Sequence, residues 1–214
     1  MSPALYAPAG HDRARSEHHS RTGDEAATFW ALAAREGDRQ AADRFIRALH
    51  LDVWRFVAHL SADPQSADDL TQDTFLRALS SLHGFEGRSS ARTWLLTIAR
   101  RTVIDSRRSA SARPRQADGE DWQLTVERTQ ERDLPGFEEG VALTELLSLL
   151  RRERREAFVL TQLLGMPYAE AAVLCRCPVG TVRSRVARAR IALWQLLDSA
   201  EDRTGDLEAR GASA

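Results

Sequence analysis

The chain has 214 residues, 43% of them hydrophobic and 29% charged, the balance of a soluble globular protein with room for one or two small domains. No apolar stretch approaches the ~20 residues of a membrane span, and the amino-terminal residues lack the apolar segment of a secretion signal. The formal net charge of −1 points to no nucleic-acid partner by itself, and two cysteines are too few for a disulfide framework.

Cys175 and Cys177 lie two positions apart, a poor spacing for bridging each other, and no histidine or further cysteine is near in sequence to complete a zinc site. They read as buried small apolar residues, and reduced thiols fit the cytoplasm. No metal and no cofactor is expected. All 30 basic residues are arginine. Codon bias of a GC-rich genome accounts for most of this, yet arginine is also the side chain best suited to forked contacts with phosphate and guanine.

Residues 1–23 are rich in Ala, Pro, Ser, His and Arg without periodicity and read as a disordered tail. From Asp24 the pattern turns helical, and Phe29, Trp30, Leu32 and Ala33 precede a stop at Gly37-Asp38. Phe45, Ile46, Leu49, Val53, Trp54, Phe56, Val57 and Leu60 then recur at three- and four-residue spacing, the stripe of a long helix broken by Asp63-Pro64. Ser66-Ala67-Asp68-Asp69 reads as a capping box opening a helix with Phe75, Leu76, Leu79 and Leu82, which Gly84 ends. After a polar loop over 86–90, the next helix sets Trp94, Leu95, Ile98 and Thr102 on one face. The first domain is placed at 24–109.

Residues 110–137 lose all periodicity and carry Pro114, Gly119, Pro135 and Gly136, as a linker does. Helices resume over 138–198, interrupted at Gly165-Met166-Pro167 and split near Arg176-Cys177-Pro178, and 199–214 read as a second disordered tail. No strand alternation occurs. The expected fold is all-α, two small helical domains joined by a flexible linker.

The charges cancel overall but are segregated. Residues 63–73 hold four Asp and no Arg, 88–115 eight Arg and one Asp, 116–145 nine acidic residues and two Arg, and 151–190 nine Arg and three Glu. One charged run is ordinarily a solvated face. Two basic surfaces on two helical domains, separated by acidic stretches, point to nucleic acid touched at two places.

Residues 168–188 form the more specific motif. Ala172 is small where two helices would cross, a turn follows at Arg176-Cys177, and Pro178-Val179-Gly180 opens a second helix. On that helix Val182, Val186, Ala189, Leu193 and Leu196 share one face, while Ser184, Ala187 and Arg188, flanked by Thr181 and Arg183, share the other. Small residues and arginine on the outward face suit a recognition helix entering a major groove ~12 Å wide. On the helix from Trp94 to Arg108, Arg100, Arg101, Arg107 and Arg108 lie opposite the apolar face; with Arg88 and Arg92 they make a basic ridge, with Phe85 and Trp94 as aromatic neighbours for single-stranded DNA.

Three segments in this order, ADDLTQDTFLRAL (67–79), RSSARTWLLTIARRTVIDSRR (88–108) and YAEAAVLCRCPVGTVRSRVARAR (168–190), resemble the extracytoplasmic-function (ECF) subfamily of sigma-70 RNA polymerase sigma factors, and the actinobacterial sigma C type in particular. The similarity spans about 24–198. It implies a non-enzymatic protein that binds core RNA polymerase and reads promoter −10 and −35 elements. The helix 67–79 would dock on the clamp of the largest subunit through Asp68, Asp69, Leu70, Gln72, Asp73 and Leu76. Phe85, Arg88, Ser89, Arg92, Trp94, Arg100, Arg101, Arg107 and Arg108 would open and hold the −10 element. Thr181, Arg183, Ser184, Ala187 and Arg188 would read the −35 element, with that domain near the polymerase flap. The resemblance leaves an anti-sigma protein open as a further partner.

Ala187 and Arg101 depart from residues that some members carry at base-contacting positions, so promoter sequence does not transfer from relatives. A stand-alone helix-turn-helix regulator would need neither the acidic 67–79 helix nor the second basic domain. A nuclease built on Asp68, Asp69 and Asp73 lacks a partner His or a phosphate-cradling Gly-rich loop, and acidic residues at a helix start have an ordinary role there.

Overall fold

A computed structural model describes residues 10–61, 66–112 and 137–211, and the side chains of 22–61, 66–109 and 142–199. The helices, in chain order, are α1 (Gly10–Arg35), α2 (Arg39–Ser61), α3 (Ala67–Ser81), α4 (Ala91–Ala112), α5 (Phe137–Ser148), α6 (Arg152–Phe158), α7 (Tyr168–Cys175) and α8 (Val179–Gly211). No strand occurs among the described residues. The expected linker lies mostly in 113–136, outside the described residues. α1 starts at Gly10, inside the stretch expected as a tail, and α8 runs on to Gly211. Neither extension contains proline, and adding a residue to an existing helix is far easier than nucleating one.

Short-range chemistry sets the helix ends. At the end of α1 the Gly37 and Asp38 amides donate back to Ala34 O and Ala33 O, with Gly37 at φ 98°. This is the reverse turn that glycine makes without a Cβ clash. Asp38 then caps α2, its Oδ1 accepting from the Gln40 and Ala41 amides at 2.8 and 3.0 Å. The capping box expected at Ser66 does not form. Ser66 is already right-handed helical (φ −83°, ψ −4°) and makes no side-chain cap bond to α3, because a capping residue needs extended backbone to aim its oxygen at the first turn. The α4 start is closed by Ser90, whose Oγ accepts from the Thr93 amide, and by Thr28 of α1, whose Oγ1 accepts from the Ala91 amide.

α2 is the centre of the first bundle. Its stripe Phe45, Leu49, Val53, Phe56, Val57 and Leu60 is buried, as the periodicity requires, against α1, α3 and α4. Phe45 and Phe75 meet edge to face at 6.4 Å. In the second bundle α8 packs on α6 and α7, burying Leu147, Val159, Leu160, Leu174, Val182 and Val186. A π turn over Val159–Leu163 continues α6.

The bundles also touch. α5 and α6 pack on α2, and α7 on α4. Arg155, buried, donates to Ser148 O and Leu150 O at the α5 end and reaches His59 O of α2, while Arg107 of α4 donates to Leu60 O and Ser61 O. Guanidinium groups thus serve the free carbonyls at the carboxyl ends of α2 and α5.

Candidate polymerase and nucleic-acid interfaces

Three surfaces carry the residues singled out in the sequence. On α3, Asp68, Asp69, Gln72 and Leu76 are exposed, Leu76 at 59%. Asp68 accepts from Trp54 Nε1 at 2.8 Å, and Asp73 pairs with Arg77, which also reaches Asp105 of α4. Leu70 does not belong to this surface. It is 8% exposed and packs in the core, because it falls one turn from Thr74 on the inward side.

The loop before α4 and α4 itself form the second surface. Phe85 is 3% exposed, its ring 4.9 Å from that of Trp94, and its carbonyl accepts from Arg35. Arg88, Ser89, Arg101 and Arg108 face solvent. Arg92 does not: it is 4% exposed, with Nε on Asp52 at 2.7 Å and Nη2 on Leu164 O at 2.6 Å. Arg100 is paired with the buried Glu156 of α6, and Arg107 is occupied at the end of α2. In this arrangement the basic ridge drawn from sequence is divided. Three of its arginines remain outward, and the other three point into carboxylates or carbonyls. Those acceptors lie 40 to 72 residues away in sequence, so no local pattern announced them.

The third surface is α8. Val182, Val186, Ala189 and Leu193 are buried, while Arg183, Ala187 and Arg188 are exposed and Thr181 and Ser184 half-buried, Ser184 Oγ donating to Thr181 O. One side packs the helix; the other presents arginine and small side chains.

The Sigma-70 region 2 family matches residues 45–113 and the Sigma-70, region 4 family residues 140–193. The ECF RNA polymerase sigma factor SigC of Mycobacterium tuberculosis is 53% identical over 170 residues, 79% of this chain and 90% of that protein. The chain belongs to the ECF group of sigma-70 RNA polymerase sigma factors. The sigma factor EcfG of Rhodopseudomonas palustris is 38% identical over 69% of this chain and 81% of its own. Among solved structures, CnrH in complex with the cytosolic domain of CnrY is 25% identical with a TM-score of 0.62, covering 81% of this chain and 98% of that one. The Bartonella quintana sigma factor RpoE, in complex with the anti-sigma factor NepR, is 27% identical with a TM-score of 0.57, covering 73% and 96%.

In this sigma factor the carboxylates that sequence reading missed are Asp24, Asp52, Glu156 and Glu170. Asp24 lies 3.8 Å from Arg92, and Glu170 of α7 accepts from Thr93 at 2.6 Å. Burial raises the Asp24 carboxyl to about 6; Arg92 opposes this, and Glu170 and Asp52 reinforce it. The folded state therefore binds a proton that the unfolded chain releases between pH ~3.8 and ~6, and ionised Asp24 is a destabilising element at neutral pH. Asp24→Asn is expected to raise Tm at pH 7 by about 2–4 °C, with solvent screening discounting the full shift. The gain should fade as pH drops towards 4; a constant gain in melting curves across that range would contradict the charge origin. Burial also pushes the Cys175 thiol up to about 12, in keeping with a packing role. No group of three metal-ligating side chains occurs among the described residues, and no described helix is long and apolar enough to cross a membrane.

Proposed function

We propose that this sigma factor binds core RNA polymerase through α3 and positions promoter DNA at two places, α4 with its preceding loop at the −10 element and α8 at the −35 element. The observation that carries this reading is α8, where the buried Val182–Val186–Leu193 side and the exposed Arg183–Ala187–Arg188 side divide packing from reading. Region 2 (24–109) and region 4 (138–198) act as separate folding units, and the chain performs no bond chemistry of its own. Its binding energy offsets the few kcal/mol needed to unstack each flipped base. Ser89, Arg101 and Arg108 are open to the −10 strand at once, whereas Arg88 reaches it by leaving its exposed pair with Glu86, and Arg100 only when its pair with Glu156 parts. The protein acts in the cytoplasm, on the nucleoid when bound to polymerase. An anti-sigma protein is a fitting further partner, since the two solved sigma factors above are held by CnrY and NepR. Run-off transcription with core polymerase across a genomic promoter library tests the whole reading; no promoter-specific product would reject it.

The docking surface has its own test. Asp69 is exposed and makes no ion pair within the described residues, whereas Asp73 is engaged by Arg77. Asp69→Arg should weaken core-polymerase binding about tenfold, the equivalent of ~1.4 kcal/mol, with Tm unchanged. Asp73→Arg should weaken binding and lower Tm slightly. Equal affinities in a direct titration would remove α3 from the interface.

A further inference from the structure

We propose that Arg176 is a positioning residue of the −35 motif, contacting the DNA backbone phosphate from the turn ahead of the recognition helix. This rests on the −35 reading of α8 given above. The turn closes α7 as the turn at Gly37 closes α1. The Arg176 amide donates to Val173 O and the Cys177 amide to Ala172 O, the same pair of bonds that Gly37 and Asp38 make. The residue at this corner must be left-handed. Gly37 meets the requirement at φ 98°; Arg176 stands at φ 52° and is the one non-glycine residue at positive φ among the described residues. An L-residue there brings its Cβ against the following carbonyl oxygen, and asparagine or aspartate, not arginine, are the usual exceptions.

Beyond those two backbone bonds, no side-chain contact among the described residues offsets that strain. The Arg176 side chain is exposed and makes no hydrogen bond or ion pair among the described residues. The backbone geometry would be met more easily by glycine, so the gain lies outside the free chain. The place of the turn supplies it. Two residues separate Arg176 from the start of α8, and the first exposed groups of α8 are those proposed to enter the groove. A recognition helix enters with its amino-terminal end, so the turn before it passes over the groove wall, where the phosphates run. A guanidinium there donates in a fork to phosphate oxygens. The turn is also held to α8, since Arg185 Nη1 lies 3.5 Å from Cys177 Sγ, so a phosphate held at Arg176 sets the height of the helix in the groove. A phosphate contact carries no base information, which separates Arg176 from Arg188.

The test uses the full chain and a labelled randomised duplex pool titrated over a salt series, with melting curves alongside. Arg176→Gly should bind every sequence about three- to tenfold more weakly, with the slope of log affinity against log salt shallower by about one. Its Tm should rise by about 2 °C as the strain is relieved. Arg176→Lys should keep most of the affinity and the unrelieved Tm. Unchanged affinity and salt slope in Arg176→Gly would overturn the proposal, as would a loss confined to particular sequences or a fall in Tm. If Arg188→Ala shifts the selected sequences while Arg176→Gly binds as before, the phosphate contact fails and the −35 reading stands. If neither variant changes binding, the −35 reading itself fails.

Discussion

Replacing Glu156 by alanine should lower the stability of the full chain by about 3 kcal/mol. Glu156 is buried in α6 and accepts from Nε and Nη2 of Arg100 on α4, so the substitution strands a half-buried guanidinium. Burial works against the charged Arg100, and Glu156 more than offsets it, leaving the arginine held more firmly protonated than usual. Arg100→Ala should also destabilise, because it leaves the buried Glu156 carboxylate without its partner. The double variant should recover part of the loss, with a coupling of about 1–3 kcal/mol in urea denaturation. The pair joins region 2 to region 4, so the cycle also reads whether they meet in solution. A coupling near zero would mean that they do not.

The second large effect separates reading from folding on one helix. Arg188→Ala should cost about 1–3 kcal/mol of −35 binding and relax preference at one base pair, since arginine can give two parallel hydrogen bonds to guanine O6 and N7. Its Tm should hardly move, because the side chain is exposed and unpaired among the described residues. Leu193→Ala, five residues on, should do the reverse. Leu193 is 8% exposed in the core, and its loss leaves a cavity that costs roughly 2–5 kcal/mol. Binding of each variant to a randomised −35 pool at fixed salt, beside its melting curve, checks both. If Arg188→Ala selects the same sequences with the same discrimination, this face of α8 does not read bases.

The opposite behaviour of these two residues is legible in the residue pattern alone. A period near 3.6 assigns Val182, Val186 and Leu193 to one face and Arg188 to the other whatever they pack against. The same reasoning places the α2 stripe in the core and ends α1 at Gly37. It fails at Ser66, where a capping pattern is present but the backbone is already helical. It also fails at Leu70, where a leucine between acidic residues looks like part of their surface but packs inward.

By itself, the sequence determined what repeats along the chain: helix order, inward faces, the two basic segments and the motif turn between α7 and α8. These follow from interactions spanning three or four residues, which a linear reading contains. Tertiary structure alone decided which arginines are free. Arg92, Arg100 and Arg107 look like Arg88, Arg101 and Arg108 in sequence, yet the first three end on Asp52, Leu164 O, Glu156 and the end of α2. A guanidinium on a helix turns to solvent unless an acceptor arrives to hold it. Whether one arrives depends on the packing of α2, α6 and the residues before α7 against α4, contacts between segments that share no local pattern.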